Sequence, residues 1–189
     1  MNRHQATAVF SGPLAALLAP APPAVAADYL TVAQAQQAIF PEARAFEPVT
    51  VQLNDAQRRV LAAGAGPQPP HGRLQAWRVQ GAAGPLGYFF TDEVVGRQDF
   101  IDYALGINAD GALRTPEIMS YRESHGGEIR NAAWRRQFER RRDGARLRNA
   151  IDIRNISGAT LSCEHVTAGV RYLALLWQIA LQPTGAQGP

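Results

Sequence analysis

Lysine is missing from this chain of 189 residues; all 19 basic side chains are arginine, against 16 acidic ones, for a formal net charge of +3. The missing lysine reflects composition rather than function. There is one cysteine, Cys163, so no internal disulfide contributes to stability. His71, His125 and His165 are scattered without a paired metal-ligand spacing, so no bound metal is expected. No Gly-x-Ser-x-Gly elbow supports a hydrolase, and no Gly-x-Gly-x-x-Gly supports a dinucleotide fold. No internal repeat is present, and no apolar run is long enough to span a membrane.

What is present begins with residues 1–26. Arg3 and His4 open a short basic segment, Ala6 to Leu18 is an interrupted apolar run, and Ala24-Val25-Ala26 forms a small-residue cleavage site. That order predicts a secretory signal and a soluble, exported product, periplasmic or otherwise outside the cytoplasmic membrane. No cysteine lies near the cleavage site to carry a lipid anchor. The remaining chain, 46% hydrophobic overall, is long enough for one core. One domain is expected over residues 27–182, followed by a flexible tail over 183–189.

Periodicity and turn residues predict an α+β fold, a twisted antiparallel β-sheet packed by helices. Thr31 to Phe40 reads as a short helix capped by Thr31 and ended by Pro41. Pro48 to Leu53 alternates as a strand with Val49, Val51 and Leu53 on one face, and Asn54 caps a helix from Asp55 to Ala63. Gly64 to Gly72, rich in proline and glycine, reads as a mobile loop. Strands follow at Leu74–Val79, Leu86–Val95, Phe100–Asn108 and Leu113–Arg122, with Ala109-Asp110-Gly111 a hairpin turn. Pro116 marks the last strand as an edge or a bulge. Asn131 to about Arg142 is helical, with Trp134 and Phe138 on one apolar face. The final helix, Leu161 to Leu181, buries a stripe of Val166, Val170, Leu173 and Trp177.

The densest chemistry lies where that helix begins. Ser157-Gly158-Ala159-Thr160 is a small, open turn with a hydroxyl at a helix N-terminus, where unpaired N–H groups and the helix dipole receive a phosphate. The plainer alternative is that Thr160 is the N-cap of the helix; Cys163 three residues on excludes a capping box. Upstream, Glu123 and Glu128 flank Gly126-Gly127, glycines suited to close approach by a planar ligand.

Ser157-Gly158-Ala159-Thr160-Leu161-Ser162 resembles the flavinylation motif of the FMN-binding domain family, which includes the C subunit of the sodium-pumping NADH:quinone reductase and the G subunit of the Rnf complex. The stretch from Tyr121 to Ile129, with Asn131, Trp134, Gln137 and Phe138 after it, looks like a second patch of that family at the right distance upstream. The resemblance runs from about Gly87 to Leu176 and is most like the single-domain exported members. It departs at Arg154, where the family usually has Asp, and at Ser124-His125, where the family has Thr-Pro.

The resemblance implies that Thr160 carries FMN covalently through a phosphoester, installed by a separate FAD-dependent, Mg-dependent flavin transferase. It implies that Ser157, Gly158 and Ala159 shape the phosphate turn, and that Glu123, His125, Gly126 and Gly127 lie against the flavin ring. The function it implies is an exported electron carrier serving unidentified redox partner proteins, membrane-bound ones among them. A ligand-binding or scaffold protein of the same fold without flavin is the alternative. Between Arg130 and Arg154 stand arginines 130, 135, 136, 140, 141, 142, 146, 148 and 154. They are a solvated face or a docking surface for an acidic partner. The predicted export and the lack of interleaved aromatics argue against nucleic acid.

Overall fold

A computed structural model describes residues 27–65, 73–123 and 125–182. The expected signal, most of the glycine- and proline-rich loop, Ser124 and the C-terminal tail lie outside the described residues.

Thr31 caps the first helix, α1 (Val32–Ile39), and its capping box with Gln34 satisfies two helix-end donors reciprocally. Asn54 does the same with Gln57 at the start of α2 (Asp55–Ala65). Between these helices, and on either side, the chain lays down β1 (Ala27–Asp28), β2 (Ala45–Val49), β3 (Gln75–Gly81), β4 (Gly84–Val95), β5 (Phe100–Asn108) and β6 (Glu117–Tyr121). They form one sheet in the order β1-β6-β5-β4-β3-β2, antiparallel at every pairing. Short turns join β3 to β4 and β4 to β5, and such hairpins join only antiparallel neighbours. Asp110 Oδ1 accepts from the Ala112 amide (3.0 Å) and fixes the turn after β5.

The architecture is α+β. A long helix, α4 (Thr160–Ala180), crosses one face of the sheet with α2 beside it. Val166, Val170 and Leu173 are fully buried there against Phe90, Val94, Tyr103 and Leu105, and Trp177 is nearly so. α1 covers part of the opposite face, packing Ala35, Ile39 and Phe40 on Val79, Phe89 and Ala104.

Three elements differ from the sequence expectation. β2 is Ala45–Val49, not Pro48–Leu53, because pairing with β3 matches Ala45 to Gln80 and Val49 to Ala76. Pro48 is tolerated there because β2 is an edge strand, while Val51 and Leu53 pack as loop residues against the α4 core. β6 is shorter than Leu113–Arg122. Leu113 instead exchanges backbone hydrogen bonds with Arg140 and Arg141, both 2.8 Å. The same exchange stops the predicted helix over residues 131–142. It becomes α3 (Ala132–Arg135) and a single 3₁₀ turn (Arg136–Phe138), after which Arg140 takes a left-handed φ of 63°.

Candidate functional site

Helix α4 begins without help from a side chain. The Ala159 amide donates to Ile156 O (3.0 Å), closing a turn in which Gly158 takes φ 87°. A β-carbon on Gly158 would meet no atom within 4 Å, so the turn is open to solvent. Ala159, not Thr160, is the N-cap, and no side chain caps the helix. This corrects the plainer reading of Thr160. Its hydroxyl is not used for capping; Thr160 is the first helical residue and is exposed, as are Ser157 and Gly158. Leu161 beside it is 47% exposed, whereas Ser162 and Cys163 turn inward. The first-turn N–H groups of any helix lack intrahelical partners and carry the positive end of its dipole.

The second sequence patch folds onto this turn. Tyr121, the last residue of β6, donates its phenol proton to His125 O and stands 2.9 Å from Ser162 Oγ. A phenol has one proton, so Ser162 is the donor to Tyr121 Oη. Burial raises the Tyr121 pKa, and the Ser162 hydrogen bond partly offsets that rise. Gly126 lies in the crevice between them at φ 94°. A β-carbon there would collide with Tyr121 Oη, lie 2.8 Å from Ser162 Oγ and sit 3.6 Å from Ala159 Cα. The Gly126-Gly127 segment therefore packs directly on the start of α4, and Gly127 opens a 3₁₀ turn to Arg130.

Among the predicted site residues, the fold gathers Ala159, Gly126, Gly127 and the backbone of His125 beside Thr160. The His125 side chain is exposed. The Glu123 carboxylate faces elsewhere: its Oε1 accepts from the amides of Gln98 (2.6 Å) and Asp99 (3.0 Å) in the turn between β4 and β5. Glu123 thus anchors the loop to that turn.

A clamp that sequence reasoning missed holds the segment leading into Ser157. Trp134 Nε1 donates to Arg154 O (2.8 Å), Gln137 Nε2 donates to the same oxygen (3.3 Å), and Gln137 Oε1 accepts from the Arg154 amide (2.8 Å). Trp134 also packs edge-on to Phe138, centroids 5.3 Å apart. Both rings are buried, as expected, but the indole N–H has a second task. The signal in the sequence was Trp134 and Gln137 three residues apart, a buried indole and a half-buried amide whose polar groups need partners. One turn earlier, Asp152 accepts from the Arg148 amide (3.1 Å) and Arg148 Nε (2.8 Å), and these bonds hold its carboxyl below the usual range.

Cys163 is fully buried one turn below Thr160, and burial pushes its thiol above the ordinary range. It is a core residue rather than a nucleophile. Among the described residues no group of acidic, histidine and cysteine side chains could hold a metal, and no helix is long and apolar enough to cross a membrane. A cleft of about 720 Å³ opens on the α1 side of the sheet, lined by Thr31, Gln34, Thr91, Asp102 and Ser120 among others. None of the predicted site residues lines it. The Thr160 turn is exposed by contrast.

Residues 96–174 match the sequence profile of the FMN-binding domain family. No curated protein matches the chain. The matched span runs from the β4–β5 turn through β5, β6, the Gly126-Gly127 loop and the Thr160 turn into α4.

Proposed function

We propose that this chain, which belongs to the FMN-binding domain family, carries FMN as a phosphoester on Thr160 and passes electrons outside the cytoplasmic membrane. One observation carries the attachment reading: the Thr160 hydroxyl stands exposed on the first turn of a helix that no side chain caps. The donor set suits a phosphate. First-turn amides and the helix dipole favour an anion, Gly158 leaves space beside it, and the exposed Ser157 hydroxyl adds a donor.

The attachment chemistry asks little of this chain. Thr160 Oγ1 forms a bond to the FMN phosphorus of FAD, the pyrophosphate bond breaks, and AMP leaves. No base stands against Thr160 among the described hydrogen bonds, so the transferase takes the proton. Bound FMN supplies reversible electron transfer, while the protein supplies attachment, orientation and electrostatics. The Tyr121–Ser162 bridge and the Trp134–Gln137 clamp hold the two sides of the turn in place. A covalent tether suits an exported carrier, because free FMN diffuses away; export itself rests on the Ala24-Val25-Ala26 site.

The test is intact mass of the protein co-produced with a flavin transferase, beside Thr160→Ala. A gain of one FMN less water, lost in the variant, is expected, with a mature chain beginning at Ala27. An unmodified mass in both, with no flavin released on denaturation, would replace this reading with a ligand-binding or scaffold protein of the same fold.

A further inference from the structure

The arginines between Arg122 and Arg154 divide into two groups. Arg122, Arg135, Arg142, Arg146 and Arg148 are paired with Asp28, Glu117, Asp110, Asp143 and Asp152. Arg130 lies over the Tyr29 ring, 3.5 Å from its centroid. Of the remaining four, Arg136, Arg140 and Arg154 show neither a carboxylate partner nor a side-chain hydrogen bond among the described contacts, whereas Arg141 bonds to backbone carbonyls and its charge also acts on the Asp152 carboxyl.

These four are gathered at one place. Gln137 is bonded through its side chain to the backbone of Arg154, and its own carbonyl accepts from Arg141 Nε (3.2 Å). Arg141 Nη2 reaches on to Asp152 O (3.1 Å). Arg136 adjoins Gln137, and Arg140 adjoins Arg141. The knot sits on the segment that leads into Ser157 and Thr160, and Arg154 is three residues from Ser157. Glu139 is the acidic side chain nearest in sequence, with Thr115 donating to it (3.5 Å).

Arg140 adds a separate observation. It takes the left-handed conformation, φ 63°, which costs an ordinary side chain energy that glycine or asparagine would largely avoid. The backbone exchange with Leu113 holds that conformation, while the side chain itself is exposed. The guanidinium is thus presented to solvent from a backbone fixed at this point.

We infer that Arg136, Arg140, Arg141 and Arg154 form a docking surface for an acidic electron-transfer protein, which they steer onto the Thr160 turn. The inference rests on the electron-carrier reading. Exposed, unneutralised charge of one sign beside a redox site accelerates encounter and sets orientation. A protein fits better than a nucleic acid, because Trp134 and Phe138, the aromatic residues of this segment, are buried and offer no base a stacking face.

The probe is a small acidic ferredoxin, titrated into ¹⁵N-labelled protein at low salt, in the flavinylated form and in Thr160→Ala. Two double variants of equal charge are compared: Arg140→Glu/Arg154→Glu, and Arg44→Glu/Arg59→Glu on exposed arginines that also show no side-chain partner among the described residues but lie outside the knot. The expected result is amide shifts concentrated at residues 136–141 and 154–161. The first variant weakens binding by about tenfold or more, the second by less than about twofold, and salt removes the difference. Equal weakening by both variants would reduce the effect to net charge and overturn the inference. So would shifts centred elsewhere, or capture of phosphatidylglycerol vesicles by the same arginines without ferredoxin binding. Because Thr160→Ala is also titrated, failure of flavin attachment is read in the mass and failure of docking in the titration.

Discussion

Tyr121 and Ser162 are 41 positions apart in the chain, yet their hydroxyl oxygens stand 2.9 Å apart beneath the Thr160 turn. Through the phenol proton given to His125 O, the pair joins β6, the glycine loop and the first turn of α4. Tyr121→Phe keeps the ring and leaves Ser162 Oγ and His125 O without that partner. We expect a loss of about 1–3 kcal/mol in urea unfolding, since buried polar groups are left unsatisfied. Hydrogen exchange at residues 125–127 and 160–162 rises with it. Unchanged exchange there would show that the bridge does not hold the loop.

The Trp134–Arg154 hydrogen bond separates packing from positioning. Trp134→Phe retains an aromatic ring against Phe138 and removes the N–H that Arg154 O accepts. The two Gln137 bonds remain, so stability falls by only about 1–2 kcal/mol. The yield of covalent flavin, read as the modified fraction by mass, falls further than that of a surface variant of equal stability. Equal yields would mean that the segment needs no clamp.

Gly126 and Gly158 share a positive φ and differ in surroundings. Gly126→Ala meets Tyr121 and Ser162 as well as the strained conformation, whereas Gly158→Ala meets open space. The expected costs are above about 2 kcal/mol for Gly126→Ala and about 1 kcal/mol for Gly158→Ala. Flavin attachment suffers in the reverse sense per unit of stability lost, because the Gly158 methyl stands on the exposed side beside Thr160. Thermal unfolding and intact mass on the two variants check both halves.

Cys163 gives a pH dependence with a definite sign. Burial raises its folded pKa, with the Glu128 charge adding and a backbone hydrogen bond at Ile156 opposing. The unfolded thiol titrates near about 8.5, so above that pH the unfolded chain holds fewer protons. The Cys163 contribution to stability is thus fully present below the unfolded pKa and is lost as pH rises through the folded one. Cys163→Ala flattens this alkaline decline, and the native thiol stays unreactive to a disulfide reagent at pH 8 until unfolding. Rapid labelling of the native protein would contradict the burial.

Much of the fold was legible because local chemistry and tertiary structure agree in it. The capping residues Thr31 and Asn54, the Asp110-Gly111 turn and the stripe on α4 each state their element within a few neighbours. What was hidden depended on partners distant in sequence. Leu113 pairs with Arg140 and Arg141, and this single exchange shortens one strand and ends one helix; nothing near either residue announces it. At the site, the two family-like patches were visible as words. Their contact through Tyr121, Gly126 and Ser162 was not, because Tyr121 reads locally as an ordinary strand residue. Thr160 was legible as a hydroxyl at a helix start, but only backbone geometry places the cap one residue earlier.

The Glu123 carboxylate occupies the space that a β-carbon on Gly96 would need. The two positions are therefore not free to vary independently over evolutionary time. A lineage that acquires alanine at 96 must shorten or redirect the acid at 123, and one that loses the acid releases the constraint on 96. Because Glu123 anchors one end of the site loop and Gly96 opens the turn between β4 and β5, a change far from Thr160 in sequence can alter the ground on which the Thr160 turn rests.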